Sequence, residues 1–147
     1  MGKLYVAYGS NLNLAQMAYR CPSACIYGVG RLNNWELVYR GNMVNSHATI
    51  LRKQGSCVPV VLWDIEPEDE RRLDIYEGYP RYYYKQNVMV EVDGCMKKAM
   101  VYIMDSKNKP GTPSATYIET IRQGYIDNNL DIRKFEESLE RNSIECR

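Results

Sequence analysis

Apolar and polar residues alternate along the chain with two periods, and the changes of period mark out short elements. Lys3 to Ala7 is an apolar run of the buried-strand type, and Tyr8-Gly9-Ser10-Asn11 after it carries the glycine and small polar residues of a turn. Leu14, Met17, Ala18 and Cys21 then recur at helical spacing, Asn13 and Gln16 stand as in a capping box, and Pro22 stops the run. The chain therefore opens as strand, tight loop, helix. Segments rich in β-branched and aromatic residues follow at Ala24 to Val29, Trp35 to Tyr39, Ala48 to Leu51 and Val58 to Ile65, and the Gly and Asn residues between them predict turns.

Glu66-Pro67-Glu68-Asp69-Glu70 places a proline near a first helical position with acids in the first turn, which predicts a helix start. Leu73 and Tyr76 are its core-facing residues, and Glu77-Gly78-Tyr79-Pro80 ends it, because glycine suits a C-terminal cap and proline cannot continue the run. Glu77 thus sits at a helix exit. Tyr82 to Val92, the turn Asp93-Gly94, and Cys95 to Met104 read as a long β-hairpin with a type I′ connection. Beyond a polar link from Asp105 to Thr112, Ser114 caps a helix with Tyr117, Ile118, Ile121 and Tyr125 on one face, and a last helix follows Asp131 with Ile132, Phe135 and Leu139 inward.

About six or seven strands with three or four helices, not in regular βαβ alternation, predict an α+β fold. With so many short strands, a small mixed β-barrel flanked by the helices is the expected architecture, since closure removes exposed edges. The 147 residues suffice for one core, so a single domain over 1–147 is expected.

Charge narrows the partners. The 19 basic and 18 acidic residues nearly cancel and are scattered, which disfavours binding to nucleic acid or a membrane surface. No apolar run approaches the ~18 residues of a membrane span and Met1-Gly2-Lys3-Leu4 lacks a signal-peptide core, so a cytoplasmic protein, monomer or homodimer, is expected. Five cysteines, an odd number, fit reduced thiols better than a disulfide framework.

Candidate chemistry is sparse. One histidine, His47, cannot build a histidine metal cluster or a pair of bases, and it lacks any nucleophile-elbow context. Cys21 and Cys25 read as incidental thiols, and Gly28-Val29-Gly30 lacks the third glycine of a dinucleotide fingerprint. The loop Tyr8 to Leu12 is more informative, because a glycine and small polar residues between strand and helix let backbone amides point at an anion. A simple turn capped by Ser10 or Asn11 is the other reading of that loop. Glu77 is either a solvated carboxylate on a charged helix or, among Tyr76, Tyr79 and Tyr82-Tyr83-Tyr84, a carboxylate held at the negative end of a helix dipole. The second setting raises its pKa toward the range useful for moving protons. The thirteen tyrosines divide between core and rim positions and a few polar pocket walls.

At these same residues a family resemblance appears. Leu4-Tyr5-Val6-Ala7-Tyr8-Gly9-Ser10-Asn11-Leu12 resembles the opening motif of γ-glutamylcyclotransferases, and Leu73-Asp74 with Glu77-Gly78 is similar to their catalytic segment. Pro22-Ser23-Ala24, Gly30-Arg31-Leu32, Ala48-Thr49-Ile50, Val61-Leu62-Trp63, Tyr102-Ile103-Met104 and Pro113-Ser114-Ala115-Thr116-Tyr117 follow in the family's order. The resemblance spans roughly Lys3 to Leu139. It implies a barrel with its pocket at one end, a small-molecule γ-glutamyl substrate, and no metal or cofactor. It also implies an intramolecular reaction that yields 5-oxoproline and releases an amine or amino acid. By the same resemblance Glu77 is the acid/base and Tyr8, Gly9, Ser10, Asn11 and Leu12 hold the γ-glutamyl head. Tyr117 matches a substrate-contacting position, and Tyr82 or Tyr84 is a further pocket wall. The stretch Tyr79 to Tyr84 is nearer to bacterial and plant relatives than to the best-known members. A γ-glutamylamine cyclotransferase and a non-catalytic binding relative are the competing readings.

Overall fold

The computed structural model describes residues 2–146. Lys3–Ala7 forms β1, Ser10–Leu12 a single 3-10 turn and Leu14–Arg20 α1; β2 is Cys25–Gly41, β3 Ser46–Ile65, α2 Pro67–Glu77, β4 Tyr83–Val92 and β5 Cys95–Met104, followed by α3, Ala115–Asp127, and α4, Ile132–Glu145. The strands close into a barrel in the order β1-β3-β2-β4-β5. All neighbours are antiparallel except β1 and β5, whose parallel junction completes the ring at Tyr5 and Met100.

Among the described residues the strands number five, not six or seven, because the segments on either side of each expected turn are continuous. Ala24 to Val29 and Trp35 to Tyr39 belong to the single 17-residue β2, and Ala48 to Leu51 and Val58 to Ile65 to the single 20-residue β3. Asn34, between two of these segments, marks a bulge with a register shift from Asn33 to Trp35, and a second shift lies inside the first segment between Ile26 and Gly28. Asn34 adopts a left-handed φ of 67°, and its Oδ1 accepts from the Gly55 amide across the ladder at 3.0 Å. Bulges increase local twist, so the long hairpin bends where a turn would have ended it.

Local chemistry sets the helix ends. Asn13 caps α1 by accepting from the Gln16 amide, Glu66 and Asp69 form a reciprocal capping box at α2 with Pro67 at its start, and Ser114 and Asp131 cap α3 and α4. Gly78 ends α2 with φ 67°, a left-handed cap that disfavours any residue with a Cβ. The connection in the β4–β5 hairpin has positive φ at both Asp93 and Gly94, as a type I′ turn requires.

Leu32, Ile50, Val60, Leu62, Val90 and Val101 are fully buried in the core. Leu73 is buried as expected, but Tyr76 is 46% exposed, because the last turn of α2 borders a cavity instead of the core. On the other side, the Tyr39 hydroxyl meets Ser138 Oγ at 2.7 Å and ties β2 to α4. None of the described helices is long and apolar enough to cross a membrane.

Candidate active site

Beside the C-terminal turn of α2 lies a cavity of about 130 Å³. Tyr5, Tyr8, Gly9, Ser10 and Asn11 reach it from β1 and its loop, His47 and Ala48 from β3, and Tyr76 and Glu77 from α2. Tyr82, Tyr83, Tyr102 and Tyr117 complete its walls. Tyr5, Tyr8, Tyr83 and Tyr102 are buried walls of the cavity, whereas His47, Tyr82 and Tyr117 are half-buried.

The loop after β1 is riveted from several sides. Asn11 donates from Nδ2 to the Tyr5 hydroxyl at 2.8 Å, accepts at Oδ1 from the Arg20 guanidinium, and accepts at its carbonyl from Trp63 Nε1 at 3.1 Å. Ser10 Oγ lies 3.2 Å from the Tyr76 hydroxyl. Behind the loop, Asn13 and Asn128 bond across to α3 and to the Leu12 carbonyl, and Gly124 lets α3 approach so closely that a Cβ there would run into Leu12. The Leu12 and Asn13 amides bond to the carbonyls of Gly9 and Ser10, which leaves the amides of Gly9, Ser10 and Asn11 without an acceptor among the described residues. A fixed loop with free amides suits an anionic or developing oxyanionic group.

The tyrosine hydroxyls are likewise engaged. Tyr8 donates to the Tyr102 carbonyl at 2.7 Å, Tyr83 to the Ala48 carbonyl at 2.6 Å, and Tyr102 to Asp74 Oδ1 at 2.6 Å. Tyr117 accepts from the Ala48 amide at 2.9 Å, which leaves its own proton for a guest. Burial raises Tyr5, Tyr8, Tyr83 and Tyr117 well above the ordinary phenol value, so these groups stay neutral.

Glu77 differs from all of these. Among the described residues it has neither a hydrogen bond nor an ion pair. Burial of its carboxyl raises the pKa from 4.5 to about 7, with the Arg20 charge pulling the other way. The residue keeps intermediate exposure because the cavity is open, yet enough protein surrounds the carboxyl to disfavour its charge. A carboxyl poised near neutrality and free of protein partners can accept and return a proton.

The family model described as Gamma-glutamyl cyclotransferase, AIG2-like, matches residues 5–120. The chain belongs to that family. Of its relatives, a Bos taurus gamma-glutamylcyclotransferase is 30% identical over 154 residues, covering 97% of this chain and 78% of its own length. The Homo sapiens gamma-glutamylcyclotransferase is 29% identical, with coverage of 92% and 76%. A solved structure titled gamma-glutamyl cyclotransferase superposes with a TM-score of 0.85 at 28% identity, over 92% of this chain and 85% of that one. The protein is an enzyme of the gamma-glutamylcyclotransferase type.

Of the residues that the sequence singled out in this cyclotransferase, the fold brings Glu77, Tyr8, Gly9, Ser10, Asn11, Tyr82 and Tyr117 to one cavity. Two do not reach it. Leu12 is fully buried against α3 and its backbone groups are both bonded, so it anchors the loop outside the cavity lining. Tyr84 is 41% exposed on the opposite strand face from Tyr83. The face of β4 that carries Tyr83 and Lys85 is the one α2 covers, which puts Tyr83 in the cavity instead. His47, Tyr5 and Tyr102 also line the cavity, although sequence reasoning left His47 outside any catalytic motif. The opening motif already contained Tyr5, but nothing in the sequence placed His47 beside Tyr82, from which it is 35 residues distant.

Proposed function

We propose that this cyclotransferase closes the γ-glutamyl moiety of a γ-glutamyl amino acid or amine into 5-oxoproline, with Glu77 as the acid/base. The α-amine attacks the substrate's own γ-carbonyl carbon, the new C–N bond closes a five-membered lactam, and the former amide C–N bond breaks. Glu77 takes a proton from the attacking nitrogen and returns one to the leaving nitrogen, so no water is consumed and atoms balance. One carboxyl serves both transfers, a step typically worth about 10²- to 10⁴-fold.

The free amides of Gly9, Ser10 and Asn11 receive the head group's carboxylate or the developing oxyanion, and Tyr117 donates its remaining proton. Holding the chain folded on itself supplies proximity, worth up to about 7 to 11 kcal/mol in well-oriented intramolecular cases. The observation that carries the reading is the isolation of Glu77: a partly buried carboxyl, raised to about 7, with no protein partner among the described residues. A cytosolic location, a single domain and a small-molecule substrate rather than nucleic acid or membrane belong to the same proposal, and the near balance of charge supports them.

Glu77→Gln keeps the shape and removes the proton transfer. With γ-glutamyl-alanine as substrate, release of 5-oxoproline should fall by about 10²-fold or more, while wild-type kcat/KM should rise with pH through about 7 as Glu77 ionises. A variant that turns over at the wild-type rate refutes the assignment.

A further inference from the structure

Among the side chains lining the cavity, two keep a polar atom with no partner among the described residues: the Glu77 carboxylate and Nε2 of His47. The proton-transfer scheme uses the first and leaves the second idle. We infer that His47, set by Tyr82, is a specificity-determining residue that donates from Nε2 to the carboxylate of the leaving amino acid. The inference rests on the cyclotransferase reading of the site.

Three observations place it there. His47 Nδ1 lies 2.9 Å from the Tyr82 hydroxyl, the one hydrogen bond of either side chain among the described residues. Its ring is wedged edge-on between Tyr82 at 5.8 Å and Tyr117 at 5.1 Å, so its orientation is fixed by packing. We assign the Tyr82 O–H as the donor to Nδ1, which puts the imidazole proton on Nε2 and makes the free nitrogen a donor. Burial holds the ring neutral, lowering its pKa below the ordinary histidine value, and also raises Tyr82, so the pair keeps both protons at neutral pH.

The free amides stand at the loop, Glu77 must reach both the attacking and the leaving nitrogen, and His47 and Tyr82 are half-buried walls of the same cavity, past which the leaving half is inferred to run. Arg20, the nearby cation, is already engaged: its guanidinium bonds Asn11 and Gln16 and stacks 3.4 Å from the Tyr76 ring centroid.

The test uses two substrates that differ by one carboxylate, γ-glutamyl-alanine and γ-glutamylethylamine, with 5-oxoproline release as the readout. Wild type should favour the alanine compound in kcat/KM by about tenfold or more, as expected for a hydrogen bond to a charged group. His47→Ala should bring the ratio close to one, His47→Gln, which keeps a donor, should restore part of it, and Tyr82→Phe, which frees the tautomer, should lower it less than His47→Ala does. If His47→Ala lowers both substrates by the same factor, or if the ratio moves with Arg20→Gln instead, the inference is overturned while the cyclotransferase reading stands. If wild type cyclises neither compound, both fall together.

Discussion

Three carboxylates lie along one stripe of α2, Glu70, Asp74 and Glu77, at the four- and three-residue spacings that share a helix face. The first two are fully engaged. Lys85 reaches Glu70 at 2.6 Å and Asp74 at 2.9 Å, Lys3 reaches Glu70 at 2.9 Å, and the Tyr102 hydroxyl donates to Asp74 at 2.6 Å. Glu77, one turn further, has none of this. Burial pushes Glu70 up as it does Glu77, but in Glu70 the Lys85 and Lys3 hydrogen bonds outweigh it and bring the net pKa below the ordinary value. The same residue type on the same face is thus a structural ion at one end and a titrating acid at the other. What separates them is Lys85, which pairs with Glu70 and Asp74 and not with Glu77.

The comparison breaks first at Glu77. Its folded pKa of about 7 lies above 4.5, so the stability carried by the protonated form is fully present below pH 4.5 and is lost as pH rises through about 7. Glu77→Gln should therefore be more stable than wild type at pH 8, by up to about 3 kcal/mol, with the difference vanishing near pH 4. Denaturant melts at the two pH values check this, and a difference independent of pH would remove the contrast.

A smaller effect is expected at the other end of the stripe. Lys85→Met leaves Glu70 with Lys3 alone and Asp74 with Tyr102 alone and should destabilise by about 2 kcal/mol at pH 7. A melt unchanged from wild type would mean that Lys3 and Tyr102 suffice to hold the two carboxylates. Smallest is Tyr102→Phe, which takes one charged hydrogen bond from Asp74 and leaves Lys85 in place, an expected loss of about 1 kcal/mol by the same measurement. A Tyr102→Phe loss larger than that of Lys85→Met would shift the anchor of α2 from the ion pair to the phenol.

Much of this was legible in the sequence where the signal is local. The type I′ turn at Asp93-Gly94, the Pro67 helix start and the Gly78 cap each follow from a residue's own backbone limits, and the structure has them at those positions. The strand count differs because Asn34 and Gly55 carry the same residue types whether a chain turns or bulges, and only the partner strand decides. Tyr83 and Tyr84 show a different limit. Counting by twos back from the buried Val92, Val90 and Val88 points to Tyr84, but α2 covers the other face of β4 at this end, and no period within β4 encodes the docking of a distant helix. His47 is the same problem in stronger form, since its meaning lies in Tyr82 and Tyr117, on separate elements.

The parallel junction of β1 with β5 bears on how the enzyme comes into being. The loop with the free amides hangs from β1, yet β1 completes the ring only against β5, which spans Cys95–Met104, and the Tyr117 wall comes later still. Glu77 and Gly9 are both synthesised well before either. A ribosome-bound chain therefore holds Glu77 and the loop for the time it takes to add some forty more residues before the whole cavity exists around them, and the cavity arrives with the barrel and Tyr117 rather than with the synthesis of Glu77.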